Sequence, residues 1–153
     1  CPSGADCIFG NGGGIGGRVE RRWPTGYALS VVYEAWFLDS NGVWEVSTLQ
    51  MIGAGLRYFF MEEIMWHPYI GVQGGLAIFG DTLRASGIGG AVEPIVGIEW
   101  ELTQTLALTF ALGGRMFLTS AFTTGNDGVR RVNDQGVNAG LSLRFGLVIM
   151  AAP

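Results

Sequence analysis

From Val137 to Ile149 the chain alternates. Val137, Ala139, Leu141, Leu143, Phe145, Leu147 and Ile149 share one parity, while Asn138, Gly140, Ser142, Arg144, Gly146 and Val148 share the other. A period of two puts successive side chains on opposite faces of a β-strand. The pattern returns from Leu106 to Leu118, where Leu106, Leu108, Phe110, Leu112, Met116 and Leu118 lie on one face, and again from Val92 to Leu102. The opposite faces carry glycines and isolated charges instead of a second apolar layer.

Long strands that are apolar on one side and small or ionic on the other fit a barrel whose outside meets lipid and whose inside is polar. Composition points the same way. Hydrophobic residues make up 48% of the 153 positions and charged residues only 14%, fewer charges than a well-solvated surface carries. No stretch approaches the ~20 consecutive apolar residues of a membrane helix. Glycine fills 26 positions, far above its usual ~7%, and recurs at every second position within strands, where small residues relieve crowding in a narrow barrel. The net charge of −4 comes without a basic stripe, which argues against a nucleic-acid partner. The low charge argues against disorder. The opening residues CPSGADCIFG lack the basic start and apolar run of a signal peptide, so an exported chain is expected to have lost that segment.

Seven strands are legible, over Gly14–Arg22, Tyr27–Leu38, Glu45–Phe60, His67–Phe79, Gly89–Glu101, Thr105–Leu118 and Gly136–Met150. The expected fold is all-β, an antiparallel up-and-down transmembrane β-barrel of about eight strands forming one domain over residues 1–153. Short turns at Arg22–Gly26, Met61–Trp66 and Glu101–Thr105 alternate with longer connections at Asp39–Val43, Gly80–Ser86 and Thr119–Gln135. That asymmetry matches the periplasmic and extracellular ends of an outer-membrane barrel, and it makes the C-terminus periplasmic. Bacterial single-chain barrels have even strand numbers, so a further strand is expected before Gly14, either ahead of Cys1 or within the residues preceding Gly14. Pro94 lies inside a strand and cannot donate to the ladder, so a bulge or a local break is expected there. Two aromatic belts are expected at the interfaces. Trp23, Tyr27, Phe59, Phe60, Trp66, Tyr69 and Trp100 would lie near the short-turn ends, and Trp36, Phe37, Trp44, Phe79, Phe117 and Phe122 near the long-loop ends.

Two segments carry a family resemblance. His67-Pro68-Tyr69-Ile70-Gly71-Val72-Gln73-Gly74-Gly75 resembles the Pro-Tyr-x-Gly-x-Gly strand opening of small OmpA-like porin-fold barrels. Gly97-Ile98-Glu99-Trp100-Glu101-Leu102-Thr103 and the alternating leucines after it resemble the same family's Gly-x-Glu-aromatic-x-Leu-Thr hairpin, and Leu141–Phe145 is similar to its closing strand. The resemblance implies the barrel fold and an outer-membrane location, and leaves the individual role open.

The inward faces are expected to hold Arg18, Glu20, Glu34, Arg57, Glu93, Glu99, Arg115 and Arg144, four acids and four bases. Buried singly, such groups are costly; paired across strands they are tolerable. Glycines at 71, 75, 97, 113, 140 and 146 would make room for them. The outward face is expected to include Leu29, Val31, Tyr33, Val72, Leu76, Val96, Ile98, Leu108, Phe110, Leu141, Leu143 and Phe145. Cys1 and Cys7 could close a small disulfide loop in an oxidising compartment; two free thiols and an acylated Cys1 are the alternatives.

Catalysis is not expected. His67 is the only histidine, Ser142 lies mid-strand, Ser120 lies at the far end, and no nucleophile elbow appears. Glu93 and Glu99 are six residues apart on one strand, about 20 Å at the usual rise, too far for a paired acid and base. No metal or cofactor is expected: the Asn126-Asp127-Gly128 and Asn133-Asp134 stretches do not fit a calcium loop. Gly10–Gly17 lacks the Lys and the helix of a phosphate loop. The leading expectation is a non-enzymatic outer-membrane barrel with a structural or interaction role, its lumen plugged by the Arg/Glu network. Its partners would be outer-membrane lipid and other envelope proteins. A narrow channel for small or apolar solutes is the alternative, and a soluble ligand-binding barrel is the third.

Overall fold

The computed structural model describes residues 12–38, 48–60, 65–81, 84–103, 105–119, 121–123, 130–132 and 137–149. The expectations for Cys1, Cys7, Trp44, Ser120, Asn126, Asp127, Gly128, Asn133 and Asp134 concern residues outside that set.

The described chain is all-β. The strands are β1 (Gly12–Arg22), β2 (Tyr27–Leu38), β3 (Thr48–Phe59), β4 (Trp66–Asp81), β5 (Arg84–Thr103), β6 (Leu106–Thr119), β7 (Ala121–Thr123), β8 (Arg130–Val132) and β9 (Val137–Ile149). Seven form one antiparallel sheet in the order β1-β2-β3-β4-β5-β6-β9, and β7 pairs with β8 in a separate two-stranded ladder. The main sheet curls into an open half-barrel whose edges are β1 and β9. Every neighbour in it is a neighbour in sequence, apart from the excursion through β7 and β8.

Local chemistry sets the joints. Between β1 and β2, Trp23 N–H donates to Tyr27 O at 2.8 Å and Gly26 N–H to Trp23 O at 3.1 Å. Gly26 sits at φ 81°, a conformation that glycine enters without a Cβ clash, and Pro24 supplies the fixed φ that starts the turn. Pro94 breaks the ladder without bending the register. The β5–β6 pairing runs Val92↔Met116 and then resumes at Ile95↔Gly113 with the same offset. The interruption is therefore a local break and not a bulge. Register shifts fall elsewhere, between Phe79 and Gly80 and between Glu101 and Thr103.

Two connections are more ordered than their sequences suggest. The β4–β5 ladder continues to Asp81↔Arg84, well into the expected Gly80–Ser86 loop. The expected Thr119–Gln135 loop contains the β7–β8 ladder, paired from Ala121↔Val132 to Thr123↔Arg130.

The period of two governs exposure. The outward residues Leu29, Val31, Tyr33, Val72, Leu76, Val96, Ile98, Leu108, Phe110, Leu141, Leu143 and Phe145 are between 41% and 87% exposed. The concave face is packed by alternating large and small residues along each rung. Arg57 lies between Ala28 on β2 and Gly71 on β4, and Tyr69 lies beside Gly97 on β5. Two apolar clusters fill the concave face between the ions. One joins Val32, Leu49, Met51, Ala77, Phe79, Ala91 and Phe117, and the other joins Ala28, Phe59, Tyr69, Ile95 and Ala111.

The aromatic belts need correction. Trp23, Tyr27, Phe37, Phe60 and Trp66 are exposed on the convex side, and Trp100 stacks on Trp66 with centroids 4.7 Å apart. Phe59, Tyr69, Phe79 and Phe117 are buried in the interior instead, and the half-buried Trp36 turns inward to the ions. These rings have the parity of Arg57, Gly71, Ala77, Arg115 and Glu34, so they fill the concave face.

Candidate functional site

The eight charged residues singled out in the sequence all project from the concave face, at half-buried or buried positions. They form two groups and leave one residue over.

The first group centres on Glu34 of β2 and Glu93 of β5. Arg115 Nε donates to Glu93 Oε2 at 2.7 Å, and Arg115 also pairs with Glu34. Arg144 pairs with Glu93 and lies 3.2 Å from Glu34 Oε1. Neutral donors complete the shell: Gln73 Nε2 to Glu34 at 3.1 Å and to Glu93 at 3.3 Å, Trp36 Nε1 to Glu34 at 3.0 Å, and Ser142 Oγ to Glu93. Two acids meet two bases, so this group is neutral. Gly113 makes its close packing possible, since a Cβ there would overlap the Glu93 carboxylate.

The second group lies toward the Trp23–Gly26 turn. Arg57 Nε donates to Glu20 Oε2 at 2.7 Å, and Arg22 donates to Glu99 Oε1 at 2.7 Å. Arg22 lies 3.5 Å from Glu20, and Arg57 Nη1 lies 3.7 Å from Glu99, too long for a hydrogen bond. Aromatic faces supply the remaining contacts. The Arg22 guanidinium lies 3.8 Å from the Phe59 centroid, and that of Arg57 lies 4.7 Å from Tyr69 and 5.0 Å from Phe59. Tyr69 in turn shares a hydrogen bond of 3.1 Å with Thr109. This group is also two acids and two bases.

Arg18 is left over. It makes no ion pair among the described residues, and its Nε is buried without an acceptor. The sequence count of four against four placed Arg18 in the balance and omitted Arg22; the structure shows the reverse. Arg22 has the same parity as Arg18 and Glu20, and that parity was the signal for it. Gln73 and Ser142 were missed for a different reason. Neutral polar residues on an ionic face give no charge count to notice.

His67 stands apart. Its Nε2 lies 3.2 Å from Glu101 Oε1, near enough to pair yet misaligned for a hydrogen bond. Ser142 Oγ donates to Glu93, and no histidine lies beside it among the described residues. Chemically the site is a neutralised, hydrogen-bonded filling that ties all seven strands of the main sheet together across the concave face.

No protein-family model, no curated protein and no solved structure matches this chain.

Proposed function

We propose that this chain is a small β-barrel of the bacterial outer membrane, with its C-terminal end periplasmic and a structural or interaction role in the envelope. The observation that carries the reading is the distribution of side chains. Apolar residues stay exposed along every strand of the main sheet, from Ile15 at 75% to Ile149 at 80%, while the ions are turned inward. Exposed apolar patches above a few hundred Å² mark contact with lipid or another protein. Strand lengths of 11 to 20 residues meet the ~9–11 that a tilted membrane strand requires. The resemblance of His67–Gly75 and Gly97–Leu108 to small OmpA-like barrels supports the same reading. A soluble ligand-binding barrel needs the opposite arrangement, apolar within and charged without.

The plugged interior favours a scaffold over a conduit. Binding would then reside at the long-connection end, where loops vary most freely. The reading is tested by extraction and by folding. The protein should partition with detergent and fold into lipid vesicles. Leu108→Asp and Leu143→Asp should each cost up to about 2–4 kcal/mol of folding into bilayers, the scale for charge at the midplane, with acids at its lower end. Normal vesicle folding of both variants would defeat the membrane reading. Steady single-channel conductance from the folded protein would replace the scaffold role with the channel.

A further inference from the structure

The main sheet has seven strands that alternate in direction, so its two edges, β1 and β9, run the same way. They do not pair with one another, and their Cα atoms stay almost throughout more than 8 Å apart. Adjacent strands lie ~4.8 Å apart, so a gap of two spacings, ~9.6 Å, is the width that a single strand fills. The sheet is nonetheless curled far enough for Arg144 on β9 to reach Glu34 on β2 at 3.2 Å. The seam therefore borders the same interior.

Charge describes what the seam lacks. The two ionic groups cancel internally, and among the described residues Arg18 of β1 is a surplus cation that neither group pairs. The buried donors without an acceptor include Arg18 Nε on one edge and Arg144 Nε and Nη1 on the other. Arg18 lies within range of the charges of Arg57, Glu20 and Arg144. Space is present beside them. A Cβ at Gly140, two inward positions along β9 from Arg144, would meet nothing within 4 Å. Unpaired strand edges of this kind take up an extended peptide by β-augmentation, the backbone supplying affinity and alternate side chains supplying specificity.

We propose that the β1–β9 seam is a strand-acceptor site. Its ligand is one extended amphipathic peptide strand that runs antiparallel to both edges, turns apolar side chains outward, and carries an inward carboxylate level with Arg18 and Arg144. Antiparallel direction follows from parity, because only a strand opposed to both β1 and β9 pairs antiparallel on each side. The carboxylate follows from the surplus cation and the three idle donors. The site does not depend on the surrounding medium, so its failure and that of the membrane reading are distinguishable.

The test uses the full chain folded in detergent micelles. The probe is a synthetic peptide of about eleven residues, the length of β1, with valine and threonine alternating and one central glutamate on the threonine face. Its companion has glutamine in place of glutamate. Amide hydrogen exchange should slow along both β1 and β9 when the glutamate peptide is added. The glutamine peptide should bind about tenfold more weakly, the difference between a charge-assisted and a neutral hydrogen bond. Arg18→Gln should shrink that preference. Three outcomes overturn the proposal: protection at one edge only, equal binding of the two peptides, and edges already protected without peptide. The last would mean closure within the chain, by β1 on β9 or by the further strand expected before Gly14, or pairing with a second copy; sedimentation separates closure within the chain from the copy.

Discussion

The two ionic groups solve one problem in different ways. Around Glu34 and Glu93, buried charge is neutralised by opposite charge plus neutral donors, Gln73, Ser142 and Trp36. Around Glu20 and Glu99 the guanidinium groups instead lie on aromatic faces, those of Phe59 and Tyr69. The ions of the first group also reach from β2 to β9 and so span the seam, whereas those of the second lie only on β1, β3 and β5. The difference teaches that a carboxylate serving several donors at once is a shared anchor. A pair whose cation also rests on rings has a second support. Removing the first should therefore cost more.

The largest effect is expected at Glu93. Glu93→Ala leaves Arg115 and Arg144 with only one of their two shared acceptors, Glu34, and should cost about 3–5 kcal/mol, the usual penalty for breaking a buried pair. Glu99→Ala should cost less, about 1.5–3 kcal/mol, because Arg22, which loses its hydrogen bond to Glu99, keeps Glu20 at 3.5 Å and the Phe59 ring beneath it. Urea unfolding of both variants in the same micelles makes the comparison, and equal losses would break it. Next comes Gly113→Ala, where the added methyl meets the Glu93 carboxylate. About 1–3 kcal/mol is expected for such overpacking. The adjacent Gly114→Ala, with nothing within 4 Å of its built Cβ, should be near neutral, and a similar loss at both would remove the shared-anchor argument. The smallest effect sharpens the second group. Tyr69→Phe loses the 3.1 Å hydrogen bond to Thr109 and keeps the ring under Arg57. A cost of about 0.5–1.5 kcal/mol is expected; a larger one would show that the hydroxyl, not the ring, supports that side.

Parity was the most legible property of the sequence. It placed each outward residue named above on the exposed face and each named ion on the concave one, because a strand has only two faces and the alternation rarely lapses. What escaped was information that parity carries but residue type disguises. Phe59, Tyr69, Phe79 and Phe117 sit near strand ends, where aromatic rings suggest an outer belt, yet each shares the parity of an interior neighbour two positions away. Arg22 sits beside a turn, where a charge suggests solvent. The ladder of β4 and β5 beyond Gly80 was hidden for another reason. A register shift at Phe79/Gly80 and the small, polar residues around it resemble loop chemistry, while backbone pairing requires no apolar side chain.

The excursion through β7 and β8 has a consequence for how such a chain can diversify. It leaves the main sheet at β6 and returns at β9, and those two strands pair from Leu118↔Val137 to Leu106↔Ile149 in one unbroken register. Nothing in that register counts the residues between them. Insertions, deletions or grafted epitopes in that hairpin leave the alternation of the main sheet in phase, whereas a single residue gained within β6 or β9 would invert a face and turn Arg115 or Arg144 outward. The molecule thus separates a connection whose length the sheet does not count from a frame whose register tolerates almost no change, and a tag inserted between Thr123 and Arg130 should leave folding intact.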